Sequence, residues 1–180
     1  MSENTTVGLF GTCGKTTFRK DLFIPKFEKI GIEYFNPQLG PGEWNPTCAE
    51  IEAEHLASDE IILFPITKDT YGLGSLSEVG FSFLQAMKLN SDRDFIIMID
   101  KELDESLFIN NTENPKNVTS FELAQESLKM RALVTQHIKK MNMNNVYVVD
   151  NLEEMLELTV ELYKIRGLLT PLRKKYCINK

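Results

Sequence analysis

The runs "DEIILFPI", Asp59 to Ile66, and "DFIIMID", Asp94 to Asp100, constrain this chain most. They are apolar at nearly every inner position, so a strand built from either must be covered on both faces. "TVGLFG" and "IEYFNP" read as two earlier strands, the second closed by Pro37, and "NVYVVD" as a last one. Helical spacing fills the intervals. "FRKDLFIPKFEKIG" stops at Gly31, and "TCAEIEAEHLAS" opens with Thr47 and Glu50 at the spacing of a capping box. "SLSEVGFSFLQAMKL" carries an apolar stripe at Leu76, Val79, Phe83 and Met87, while "SFELAQESLKMRALVTQHIKKM" and "NLEEMLELTVELYKIRG" give two more helices. Alternation of buried strands and helices predicts an α/β fold: a single doubly wound domain with a five-stranded parallel sheet in the flavodoxin-like order 2-1-3-4-5. In that order a ligand is expected at the carboxyl ends of the first and third strands.

A length of 180 residues suits one domain, with a polar leader over 1–6, the folded unit over 7–166 and a basic tail over 167–180. The acidic, Asn-rich stretch 101–117 is expected to form a surface loop, anchored by Leu107, Phe108 and Ile109. The net charge of -6 argues against a nucleic-acid polymer as partner. No apolar run approaches the roughly 20 residues of a membrane span, so no membrane partner is expected. The leader has no basic or apolar signal region, which predicts a cytoplasmic protein. Cys13, Cys48 and Cys177 are scattered without metal-ligand spacing, and His55 and His137 have no partner in sequence; neither a metal nor a cofactor is expected.

Gly11-Thr12-Cys13-Gly14-Lys15-Thr16-Thr17 invites comparison with a phosphate-binding loop. That loop needs a glycine six positions before its lysine, and Leu9 stands there. A strand-to-helix turn in which Gly11 and Thr12 line a ligand pocket is the preferred reading.

"DTYGLGSLSEVGFS", Asp69 to Ser82, is more informative. Gly72 and Gly74 permit a tight loop after the third strand, Ser75 and Ser77 fall where a helix is expected to start, and Glu78 falls in its first turn. A carboxylate is thereby placed at the ligand-binding end of the sheet. The competing reading is that Glu78 is only a favourable charge near a helix N-terminus.

The segments "VGLFGTCGKTTFRKDLF", "EWNPTCAEIEAEHLASDEIILFPI" and "YGLGSLSEVGFS" resemble the nucleoside 2-deoxyribosyltransferase family, in its nucleoside 2-deoxyribosyltransferase-like branch, over roughly Val7 to Asp150. The resemblance implies that Glu78 is the nucleophile that attacks the sugar C1′. An oxocarbenium-like transition state needs such a carboxylate, and covalent capture splits one hard step into two. Asp59 matches a second acidic position, and Asp69 a third more loosely. Where the family's transferases carry an orienting tyrosine this chain has Leu9, Phe10 and Gly11, leaving Tyr71 as a substitute. The resemblance also implies a homo-oligomer.

Further binding candidates are Asn36, for the sugar or base; Trp44, for stacking on a nucleobase; and Gly74, Ser75 and Ser77, for a 5′-phosphate at the helix start. Glu52 and Glu54 lie two residues apart on a helix, so at most one faces the pocket. Arg131 reads as a surface salt-bridging arginine or a phosphate contact. The resulting expectation is an enzyme that cleaves or exchanges the N-glycosidic bond of a nucleoside or nucleotide, a small-molecule partner. The alternatives are an NAD-type N-glycohydrolase and a non-catalytic nucleotide sensor.

Overall fold

Five parallel strands form the sheet: β1 (Thr6–Leu9), β2 (Glu33–Phe35), β3 (Ile61–Ile66), β4 (Asp94–Ile99) and β5 (Val146–Val149), in the order β2-β1-β3-β4-β5. The computed structural model describes residues 5–13, 15–40, 43, 45–89, 92–109, 119–141 and 143–176. In register, Gly8 pairs with Phe35 and Ile62, Ile62 with Phe95, and Phe95 with Val146. The expected strand order is therefore the observed one, with the switch between β1 and β3.

The pleat sends alternate residues to two apolar layers. Val7, Leu9, Ile61, Leu63, Ile96 and Met98 meet Phe23, Phe27, Met155 and Val160. These partners come from a π-helical turn (Arg19–Phe23), α1 (Ile24–Ile30) and α5 (Leu152–Tyr176). On the other face, Phe10, Ile62, Phe64, Phe95 and Ile97 meet Leu76 and Val79 of α3 (Leu73–Leu89) and Ile138 of α4 (Ser120–Met141), with Leu56 of α2 (Pro46–Ser58) at the margin.

Local signals were read with mixed success. Gly31 ends α1 in the left-handed conformation, as a stop glycine should. The cap of α2 is Asn45, whose side chain accepts from the Thr47 amide, with Pro46 at the first helical position; the Thr47–Glu50 capping box does not form. A reciprocal box occurs instead at α4, where Glu122 accepts from the Thr119 amide and the Thr119 hydroxyl accepts from the Glu122 amide. In the acidic stretch a short 3-10 turn, Glu105–Phe108, sets Phe108 against Phe121, whereas Ile109 is exposed and anchors nothing.

Both carboxyl ends of the central strands are closed by buried arginines. Arg19 donates to the carbonyls of Leu9, Phe10 and Thr12 at 2.7–2.9 Å. Arg131 uses all its donors: Nε on Ser127 Oγ, one terminal nitrogen on the carbonyls of Ile66 and Asp100, the other on those of Thr67 and Thr70. Arg131 is therefore neither a surface salt-bridging side chain nor available to a phosphate. Lysine cannot reproduce this fork. Arg131→Lys is expected to lower the unfolding free energy by about 3 kcal/mol, because carbonyls of β3 and β4 are left buried and unpaired; urea unfolding followed by circular dichroism measures it.

Candidate functional site

Three segments converge where β1 and β3 end: the β1–α1 loop, the middle of α2 and the start of α3. The loop is fixed from within. Gly11 has φ +91, and a Cβ there would overlap the Pro65 carbonyl oxygen, so only glycine fits. The Thr12 amide donates to Pro65 O at 3.0 Å, and its hydroxyl donates to the same oxygen and accepts from the Thr67 amide. Thr12 is thus a buried fastener between β1 and β3 whose hydroxyl, amide and carbonyl are all engaged within the protein. The Thr16 hydroxyl donates to Thr12 O, so the hydroxyl that a phosphate loop would turn toward a metal is directed inward. Cys13, next along the loop, reaches the surface.

α3 starts at Leu73, two residues earlier than expected, because Gly72 takes φ +61 and its carbonyl accepts from the Leu76 amide. Gly74 and Ser75 consequently occupy the first turn, and Glu78 is the sixth helical residue rather than a member of the first turn. The Ser77 hydroxyl folds back on Leu73 O. A Cβ at Gly74 would meet nothing within 4 Å, so the first turn faces open space.

Glu78 does not stand alone. Glu52, from the middle of α2, is raised above the usual carboxylate range by burial and next by the negative charge of Glu78, with Arg19 opposing. Glu78 is itself raised by burial. The Cys13 thiol is raised by burial, with Arg19 opposing and both carboxylates adding to the rise. Glu52, Glu78 and Cys13, from three elements, therefore share one electrostatic neighbourhood with the buried Arg19 behind it. Glu52 is half-buried and Glu78 exposed, and the negative charge of Glu78 disfavours ionisation of Glu52.

The other candidates disperse. Asp59 lies seven residues beyond Glu52 as the C-cap of α2, about 10 Å along the helix axis and at the amino end of β3. Its side chain is 1% exposed; Oδ1 meets His55 Nδ1 at 3.0 Å and Oδ2 has no partner. It fills a niche made by Gly8, whose missing side chain leaves room for the carboxylate and the Phe10 ring. The His55 ring stacks on Phe35 at 3.8 Å. Asp69 sits in the exposed turn after β3. The Tyr71 hydroxyl donates to Leu107 O, so it is turned toward the 3-10 segment and not toward Glu78. Asn36 accepts from the Gln38 amide in an Asx turn beyond β2. Trp44 lies outside the described residues. Among the described residues no cluster could hold a metal ion.

Two participants escaped the sequence reading. Spacing alone pairs Glu52 with Glu54, whereas Glu52, His55 and the C-cap Asp59, at i, i+3 and i+7, fall along one stripe. Cys13 was read only as one of three scattered cysteines.

The fold and the crevice together define a doubly wound α/β domain with paired carboxyls at its switch point. No protein-family model matches the chain, and no curated protein matches it either. Among solved structures it is similar to "Crystal structure of the RPS4 and RRS1 TIR domain heterodimer", with 6% identity and a TM-score of 0.44 over 91% of this chain and 96% of that one.

Asp59 supplies a test of the niche. Burial raises its carboxyl above the ordinary range, against lowering by His55 and Arg93. Its folded value therefore exceeds the unfolded one, and the native state loses stability as pH rises through the folded value. Asp59→Asn keeps an acceptor for His55 and cannot ionise. Its unfolding free energy is expected to match that of the wild type below the ordinary carboxylate range and to exceed it toward neutral pH, by about 1.4 kcal/mol for each unit of difference between the two states; urea unfolding across pH checks this.

Proposed function

We propose that the crevice cleaves or exchanges the N-glycosidic bond of a nucleoside or nucleotide, with Glu78 as nucleophile and Glu52 as proton donor. The observation that carries this reading is the pair itself: two carboxyls, both raised, electrostatically coupled across the β1–β3 switch point. In this reading Glu78 is ionised and the more buried Glu52 carries a proton when the substrate enters. The Glu78 carboxylate attacks C1′; the C1′–N electron pair leaves with the base, which takes the Glu52 proton; an ester of the sugar on Glu78 remains. Glu52, now a carboxylate, takes a proton from water or from an acceptor base, which attacks C1′ and frees Glu78.

Support for the remaining assignments is positional. The first turn of α3 at Gly74 and Ser75 offers amides to a 5′-phosphate. Asn36, in the loop after β2, would border the side on which a base lies, and Trp44 keeps its stacking assignment from the sequence alone. Gly11 and Thr12 shape the floor. In this reading Glu52 takes the part of second carboxylate that Asp59 and Asp69 held in the sequence reading.

The test is a panel of nucleosides, nucleoside 5′-monophosphates and NAD, each with and without an acceptor base, with products separated by chromatography. Base release or exchange is expected for the wild type and a roughly 10³-fold loss for Glu78→Gln. Glu52→Gln should lose the same order of rate with a basic leaving group and much less with an activated one that needs no proton. Rate against pH should be bell-shaped, with both limbs above the ordinary carboxylate range, and the alkaline limb should vanish in Glu52→Gln. Release of nicotinamide from NAD alone would narrow the reading to an NAD glycohydrolase; binding without turnover of any member would replace it with a nucleotide sensor.

A further inference from the structure

α5 is 25 residues long, about 37 Å, whereas the strands beneath it span about 20 Å. Its first half packs on the sheet through Met155, Leu156 and Val160. The later part continues beyond that layer, through Gly167 to Tyr176, with apolar side chains bare: Ile165 is 50% exposed, Leu168 73%, Leu169 40% and Leu172 53%. Four such residues within eight positions of one helix make a contiguous apolar strip.

Charge divides at the same place. From Leu162 to the carboxyl end the sequence has six Lys and Arg and no acidic residue, while the preceding 161 residues hold all 26 acidic residues against 14 basic ones. Beside the strip lies a groove of about 430 Å³. Ile165 and Leu169 form one wall, and Glu60, Asp92 and Asp94 supply acidic side chains on the other. Arg166 already meets Asp94 Oδ2 at 2.7 Å and Glu60 at 3.8 Å, so the groove accepts a guanidinium from its own helix. An apolar wall facing an acidic one fits a basic, leucine-bearing helix, and this chain carries such a helix at its own carboxyl end.

We infer that the occupant of this groove is the end of α5 from a second copy of the chain. Antiparallel packing about a two-fold axis near Leu168 and Leu169 sets Leu172 of each copy beside Ile165 of the other. It carries the basic end of each helix toward the acidic wall of its partner, and each copy gives and receives the same contacts, as a closed dimer requires. The charge division makes the contact complementary with itself, and salt weakens it.

Sedimentation equilibrium of the full chain tests this over a series of concentrations and salt strengths. A monomer–dimer equilibrium that shifts toward monomer with salt is expected. Leu168→Glu with Leu172→Glu should weaken dimerisation roughly tenfold or more, with an unchanged circular dichroism spectrum because both positions are exposed in the single chain. Asp92→Lys should weaken it by a smaller factor. A wild type that stays monomeric at every concentration overturns the inference, as does a dimer untouched by the leucine replacements. Recruitment of a monomeric wild type to anionic phosphatidylserine vesicles, lost in the same leucine variants, would also overturn it and assign the strip to a lipid surface.

Discussion

The structure depends on carbonyl groups at the ends of parallel strands finding donors away from water. A parallel ladder leaves its last carbonyls pointing into the crevice that binds ligands, and each one buried without a partner costs on the order of 1–3 kcal/mol. Arg19 and Arg131 meet this demand from opposite faces of the sheet, one from the turn that enters α1 and the other from α4. A guanidinium suits the task because its donors fan out in a fixed plane and its charge survives burial. At the opposite end of the sheet Arg93 plays a similar part, donating to the carbonyls of Leu56 and Asp59 where α2 hands over to β3.

Charge in the crevice follows from that arrangement. Arg19 stands behind the β1–α1 loop with its nitrogens occupied by carbonyls, so it can lower the Glu52 carboxyl by its field without neutralising it through contact. Burial and mutual repulsion act in the other direction and prevail. The result is a pair of acids from two helices whose ionisation is held back, Glu52 half-buried and Glu78 toward the mouth of the crevice. Carboxyls raised in a crevice are a feature that functional sites share.

The sheet was legible in the sequence because its signals are local: apolar runs of strand length, separated by helical periods and punctuated by Gly31 and Pro37. Gly11 and Gly72 were legible too, as loop glycines flanking a crevice, although only the structure tells that Gly11 is held by the Pro65 carbonyl and Gly72 by its left-handed backbone. The arginines were not legible. Arginine is ordinarily a surface residue, and its burial depends on carbonyls brought from up to 65 positions away. Glu52 escaped for a related reason, since its partner Glu78 lies on the next helix and sequence spacing measures only neighbours on one. Asn45 displaced Thr47 as the cap of α2 because Pro46 suits the first helical position and leaves the residue before it outside the helix.

Arg131 and α2 differ in what they allow to move. The turn from Thr67 to Thr70 is tied to α4 by Arg131, so the wall of the crevice that leads to Glu78 cannot swing without dismantling the end of the sheet. α2 is attached far less firmly: no residue within it is fully buried, and its contacts with the core run through Leu56 and the stacked His55 at its far end. The crevice is accordingly unevenly supported, with Glu78 beyond a wall pinned by Arg131 and Glu52 on the helix that buries least. A ligand pressing into the crevice therefore meets its firmer support beside Glu78 and its softer one beside Glu52.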